Sequence, residues 1–459
     1  MKTFQFKGLL QHDKWISPAY VKVDENGDII SVSDDIDIEA LPIKLNVYAI
    51  PGFQNAHSHA FQYAMAGLAE THKGGEKADD FWSWREAMYH LALSISPDDL
   101  EAIATMLYSE MLRHGYTSVA EFHYVHHQKD GQVFENLSEM GERLVLAAKK
   151  VGISITLVPI FYQKGGFGKP ASSGQKRFIS KDIDTYYKLL EASKKSAELY
   201  ENANLAIGIH SMRGVEPELI KKVAAEGPQD LPFHIHISEQ LKEIEDSIQY
   251  LGQRPVEWML NEINLSDRYH LVHATHLVDD ETAGIAKSGA NVVLCPSTEG
   301  NLGDGIFPLK KFQNYDGKWS IGTDSHIGLN PFEELRILDY GQRLTSHTRN
   351  TFNSKSEGNS GEYAIKQSLI AGRKAMGNYN GDYFRVGEKL NAVLLDANHP
   401  LMSTASIDNL LNTMVYASDS SMQYGTIANG VLLIRSGQHI NQSEIYSDFN
   451  KTIRRINNR

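Results

Sequence analysis

The chain has 459 residues, of which 57 are acidic and 45 basic, leaving a net charge of −12. With 41% hydrophobic and 22% charged residues it has the composition of an ordinary globular protein, which excludes disorder, collagen and coiled coil. The acidic balance argues against a general nucleic-acid binder, and a single cysteine, Cys295, excludes an intrachain disulfide framework and any Cys-rich metal site.

The opening stretch MKTFQFKGLLQHDKW scatters its charges and has no apolar core of signal-peptide length. No apolar run approaches the ~18 residues of a membrane span. The expectation is a cytoplasmic protein with no membrane partner, and the lone thiol fits a reducing compartment. Residues 1–48 read as short strands, with AYVKV and DIISVS joined by the turn ENGD.

From Val47 onward, short apolar runs alternate with longer amphipathic stretches. Eight runs stand out, at 47–60, 117–127, 153–161, 205–211, 232–239, 269–276, 291–297 and 319–326. They are rich in Val and Ile and apolar on both faces, the pattern of parallel strands covered on both sides. Between them lie helical signals. Ser96 precedes Pro97, Asp98 and Asp99, then Leu100, Ile103, Leu107 and Met111 form a stripe that Gly115 ends. The segments 216–225 and 256–263 are shorter versions.

Eight strands separated by helices predict an α/β fold, a (β/α)8 TIM-like barrel. An open doubly wound sheet is the competing architecture, and it lacks its Gly-rich turn after the first strand. After residue 383 the chain returns to β character in FRVGEKLNAVLLD, MVYASD and TIANGVLLIRSGQHI. The expected division is a small β-sandwich from both chain ends (1–48 and 384–440), the barrel (49–383) and a C-terminal helix (441–459). Two segments, 163–177 and 346–361, read as mobile loops, and the first, following strand three, as a lid over the catalytic face.

Barrel active sites are built at the C-terminal ends of strands. His57 and His59 end strand one, two residues apart and therefore on one face. Alone, such a pair is a weak signal. His210 ends strand four, His236 strand five, His273 and His276 strand six, and Asp324 strand eight. Hydrogen-bonded core histidines at five strand ends at once form a poor alternative to a divalent metal site, and histidine nitrogens with one carboxylate suit Zn2+. His123, His126 and His127 read more simply as supporting or surface residues than as a second metal site.

His57-Ser58-His59, His236, His273 and Asp324 at these strand ends resemble the amidohydrolase superfamily, as does the flanking β-unit. Strand four ends in His210 and Ser211 rather than the lysine of binuclear members, so the resemblance is to the one-metal, deaminase-like branch. Longer motifs, FQYAMAGLAE (61–70), FWSWREAMY (81–89), EFHYVHH (121–127), HSMR (210–213), HIHISEQ (234–240), LVHATH (271–276), STEGNLGDGIFP (297–308) and GTDSHIGLN (322–330), resemble the formimidoylglutamate deiminase family of bacterial histidine degradation. The resemblance runs through almost the whole barrel and is weak in the first 48 residues and the tail.

It implies hydrolysis of N-formimidoyl-L-glutamate to N-formyl-L-glutamate and ammonia, by a homodimer carrying one divalent ion. It implies His57, His59, His236 and Asp324 as metal ligands. Glu239, His273 and Asp324 match the catalytic positions, and Gln62, Arg85, Tyr124, His210 and Arg213 the substrate-contacting ones. Read from the residues alone, Glu239 has the alternative of an ion-paired residue at a helix start, although its distance from His236 favours catalysis; Tyr124 is nearly as well explained as core, and an Arg85 beside Trp82 and Trp84 is more often a cation–π or surface contact than a ligand clamp. The two arginines suit a small-molecule dicarboxylate substrate. Two other functions compete: a deaminase of a cyclic amidine or nucleobase, which needs no arginine pair, and a non-catalytic barrel.

Overall fold

The computed structural model describes residues 1–12, 14–35, 41–70 and 81–457. Eight parallel strands follow one another around a barrel: β1 (Phe53–Ser58), β2 (Tyr116–His123), β3 (Ser154–Phe161), β4 (Ile207–Ser211), β5 (Phe233–Ile237), β6 (Tyr269–His273), β7 (Asn291–Leu294) and β8 (Lys318–Ile321). Every residue of β2, β5, β6 and β7 is buried, as expected for strands covered by side chains inside and helices outside. The ring closes between its last and first members. Ser58 bridges Asp324, the His57 carbonyl accepts from the N–H groups of Thr323 and Asp324, and the Asp324 carbonyl accepts from the His59 N–H. The seam of the barrel therefore lies on residues that the sequence marks for metal binding.

The first apolar run, 47–60, serves two sheets. Its beginning belongs to the strand Ile43–Pro51 of a separate sheet, and its end is β1. Gly52 separates them, and a Cβ there would lie 2.2 Å from Thr117 Oγ1, so no side chain fits this crossing.

The separate sheet is made by both chain ends. Its strands run in the order Gln438–His439, Val431–Arg435, Gln423–Ala428, Ala392–Asp396, Ile43–Pro51, Lys2–Leu10, Ala19–Val23 and Ile29–Ser33, with Trp15–Ile16 paired to Lys2–Leu10. The ENGD turn is held by the Asp24 carboxylate, which accepts from the N–H groups of Asn26 and Asp28, and by Gly27 at φ +87°. MVYASD is not a strand. Its first four residues complete the helix Leu410–Ala417, in which Leu410, Leu411, Met414 and Val415 form one buried face. The spacing i, i+1, i+4, i+5 is helical, and a six-residue window is too short to show it.

The helix Pro97–His114 begins and ends where its signals place it. Ser96 Oγ accepts from the Asp99 N–H, the Asp99 carboxylate accepts from the Ser96 N–H, and Gly115 takes the left-handed C-terminal position at φ +100°. Asp99 also pairs with Arg455 of the terminal helix Gln442–Asn457, which packs along this helix. Ser96→Ala is expected to cost ~1 kcal/mol of local stability, read as roughly fivefold faster amide hydrogen exchange in the first turn.

Both segments expected to be mobile are tied down. Arg177 is fully buried, and its guanidinium donates to the carbonyls of His127, Ala92 and Ile95. Three carbonyls around one buried cation fix the end of the 163–177 segment, and Gly/Ser composition does not reveal that anchor. In 346–361, Phe352 is fully buried and stacks on Trp319 with ring centroids 5.4 Å apart. No helix among the described residues is long and apolar enough to cross a membrane.

Candidate active site

His57 lies on β1 and His59 one residue beyond it, His236 lies on β5, and Asp324 follows β8. His57 Nε2 is 3.2 Å from His59 Nε2 and 3.0 Å from His236 Nε2. Asp324 Oδ1 lies 3.5 Å from His57 Nε2 and 3.2 Å from His59 Nε2. All four side chains are buried. The far ring nitrogens of two of them are fixed by backbone: His59 Nδ1 donates to the Phe122 carbonyl at 2.8 Å and His236 Nδ1 to the His210 carbonyl at 2.9 Å. A carbonyl only accepts, so the proton sits on Nδ1 and the Nε2 lone pair faces inward.

Burial pushes His57 down to about 3, and pushes His59 and His236 below the usual histidine range. For Asp324, burial acts upward but is outweighed by the hydrogen bond with His57 and the charge of His59, which hold its carboxyl well below the usual range. Neutral imidazoles and an ionised carboxylate are the protonation states that a metal requires. His57 Nε2 faces the lone pairs of His59 and His236 at 3.0–3.2 Å and can donate to only one of them, whereas a single cation satisfies all three nitrogens. The donor set therefore fits one divalent ion.

His273 ends β6 at φ +69°. Its Nε2 stands 3.8 Å from both Glu239 Oε1 and Asp324 Oδ2, and its Nδ1 is 3.2 Å from Glu299 Oε1. Burial alone would lower its pKa, but Glu239, Glu299 and Asp324 together raise it to about 10. Glu239 moves the other way from an exposed carboxylate: burial raises its pKa, against the charges of His273 and Arg213. A buried carboxyl of raised pKa thus stands beside a buried imidazole of raised pKa, a pair able to pass a proton.

One cavity contains His59, His236, Glu239, His273 and Asp324 in its wall together with Gln62, Arg85, Tyr124, His210 and Arg213. Every residue that the sequence marks for this site except His57 lines it, and His57 touches it from behind through His59 and His236. Gln62 Nε2 donates to the Tyr124 hydroxyl at 3.0 Å. Arg213 is shared: its Nη2 donates to Glu239 Oε2 at 3.2 Å and its Nε faces Glu243 Oε2 at 3.7 Å. Arg85 lines the cavity and also lies over the Tyr89 ring, with Cζ 5.5 Å from the centroid. Trp84 shares that cavity wall, whereas the Trp82 side chain falls outside the described residues.

His126 and His127 are buried and face the carbonyls of Ile160 and Ile179, and His123 packs against His126. They brace the loops around β2. His276 stands outside the cavity wall.

Sequence reasoning passed over three groups. Glu121 on β2 accepts from Ser58 Oγ and from the Ala60 N–H, both at 2.6 Å, so it holds the backbone on either side of His59. Burial raises its pKa to about 7. A lone carboxylate in a strand with no other acidic residue was its signal. Glu299, in the STEG motif, accepts from the Cys295 N–H while facing His273, which fixes that imidazole. Tyr162, the residue after β3, packs against His210 with ring centroids 4.0 Å apart and the rings tilted by 56°.

An α/β barrel with metal donors at its strand ends and a sheet from both chain termini defines a metal-dependent hydrolase of the amidohydrolase class. The profile of the Amidohydrolase family matches residues 48–433, and the chain belongs to that family. It is 40% identical over 426 residues, 93% of each chain, to the formimidoylglutamate deiminase of Pseudomonas aeruginosa. It is 24% identical, over 93% of this chain and 91% of the other, to a 5-methylthioadenosine/S-adenosylhomocysteine deaminase of Halobacterium salinarum. Among solved structures, an amidohydrolase from Brucella melitensis superimposes with a TM-score of 0.92 at 38% identity, over 99% of this chain and 100% of that one. An adenosine deaminase from Xanthomonas campestris with bound zinc shares the fold, with a TM-score of 0.81 at 20% identity over 100% and 98% of the two chains.

Proposed function

We propose that this protein hydrolyses N-formimidoyl-L-glutamate to N-formyl-L-glutamate and ammonia. The observation that carries the reading is that Arg85 and Arg213 line the same buried cavity as Glu239, His273 and the metal donors. A substrate with a hydrolysable amidine at one end and two carboxylates elsewhere uses all of these groups. The 40% identity to the Pseudomonas deiminase over 93% of each chain supports the same substrate.

His57, His59, His236 and Asp324 would hold the ion, with Zn2+ proposed from the nitrogen-rich donor set. When bound, a divalent ion lowers the pKa of water to about 7 and so makes a nucleophile available at neutral pH. Asp324 accepts the proton of the attacking water as the formimidoyl carbon becomes tetrahedral. His273, a buried cation facing Glu299 and Asp324, offsets the negative charge that develops there. Glu239 gives its proton to the terminal nitrogen and Asp324 passes on the water proton it accepted, so the carbon–nitrogen bond breaks and ammonia leaves, and the hydroxyl proton released as the formyl carbonyl forms restores Glu239. Arg213 positions Glu239 through its Nη2 while it faces the substrate side of the cavity. Gln62, Tyr124 and His210 supply neutral partners for the polar atoms of the substrate.

A nucleobase deaminase would need neutral, flat recognition and has no use for two guanidinium groups in its cavity wall. The test is ammonia release from N-formimidoyl-L-glutamate beside adenine, guanine and cytosine. Turnover of the first alone is expected, and its absence with turnover of a base overturns the reading. Arg213→Met is expected to raise KM at least tenfold and also to lower kcat, because Glu239 loses its buried counter-charge. Steady-state kinetics of the variant check this. The reading also includes a homodimer and a cytoplasmic location, supported by the family resemblance, with sedimentation as the check on the former. The net charge of −12 disfavours a nucleic-acid partner.

A further inference from the structure

We propose that the Tyr162 hydroxyl is an additional hydrogen-bond donor to a substrate carboxylate, oriented for donation by Gln175, and thus a specificity determinant of this site. The inference rests on the dicarboxylate reading above. It starts from hydrogen-bond direction. The Ser172 N–H donates to Gln175 Oε1 at 2.8 Å, which fixes the orientation of the amide. Gln175 Nε2 must then face outward, and it donates to the Tyr162 oxygen at 2.6 Å. The Tyr162 oxygen therefore accepts from Gln175, and its own O–H is directed away from that amide. Tyr89 also hydrogen-bonds Tyr162, and a phenol both donates and accepts, so Tyr89 can give its proton to the Tyr162 oxygen while the Tyr162 O–H turns to a charged acceptor in the cavity.

That hydroxyl belongs to a side chain in the wall of the cavity, beside Arg213, and its ring is held against His210. Tyr162 is 4% exposed, so a donor there acts where little water competes. A carboxylate is a stronger acceptor for it than the neutral Tyr89 phenol. A neutral phenol adds this bond without placing a third positive charge beside Arg85 and Arg213. A ligand with an apolar end forgoes that charge-assisted bond, and losing it is how such a site discriminates. The anchored 163–177 segment gains a purpose in this account. It carries both Ser172 and Gln175, and Gly174 packs on the Tyr89 ring, where a Cβ would lie 2.9 Å from Cδ2.

The experiment uses the metal-loaded full chain and two readouts: kinetics with N-formimidoyl-L-glutamate, and calorimetric binding of glutarate, a plain dicarboxylate. Tyr162→Phe keeps the ring on His210. It is expected to raise KM and the glutarate Kd roughly tenfold or more, the loss of a hydrogen bond to a charged group, with kcat within about threefold and metal content unchanged. Gln175→Met keeps the hydroxyl and removes the donor that orients it, and is expected to raise the same Kd roughly threefold. Unchanged glutarate affinity in both variants overturns the proposal, as does a fall in kcat with KM and Kd unaltered. Wild-type protein that binds glutarate in a Tyr162-dependent way but releases no ammonia keeps this inference and sinks the proposed reaction. Ammonia release unaffected by Tyr162→Phe does the reverse.

Discussion

Asp324→Asn is expected to lower kcat/KM by roughly 10⁴-fold, the upper end of what a positioned proton-transfer group contributes. The side chain has two tasks, and the amide performs neither well. Its Oδ1 stands 3.2 Å from His59 Nε2 and 3.5 Å from His57 Nε2, where an ionised oxygen is a ligand and a neutral amide is a weak one. Its Oδ2 faces His273 at 3.8 Å, where the carboxylate takes up a proton. The same variant is expected to lose metal on dialysis, which elemental analysis detects. Its backbone conformation, φ +46°, is readily adopted by Asn, so the barrel seam is expected to survive and circular dichroism to be unchanged.

Glu239→Gln separates chemistry from metal retention. The side chain touches His273 and Arg213 but none of the four proposed ligands within the distances described above. The variant is expected to keep its metal, to show a KM within a few-fold of wild type, and to lose roughly 10²–10⁴-fold in kcat. Elemental analysis and initial rates on one preparation check both halves. Full activity in the glutamine variant would assign ammonia protonation to another group.

The barrel was legible because strands covered on both faces are written as short, largely apolar runs, and because Ser96 and Gly115 are strong local punctuation. The site was legible because imidazoles and a carboxylate at the ends of strands one, five, six and eight have no place in a purely apolar core. What escaped the sequence depends on contacts between distant segments. Gly52 divides one apolar run between two sheets because Thr117 crosses there. Met414 and Val415 turned helical because Leu410 and Leu411 extend their face. Arg177 anchors a Gly/Ser-rich segment through carbonyls contributed by residues 92, 95 and 127. Glu299 matters through His273, 26 residues earlier in the chain, and no local pattern announces that pairing.

The central claim is that His57, His59, His236 and Asp324 hold one divalent ion on which ammonia release depends. It is tested most directly by stripping the protein with a chelator and titrating Zn2+ back while following ammonia release from N-formimidoyl-L-glutamate. Activity that rises linearly and reaches its plateau at one equivalent per chain is the predicted result. Full activity in the stripped protein, or a plateau reached only at two equivalents, would contradict it.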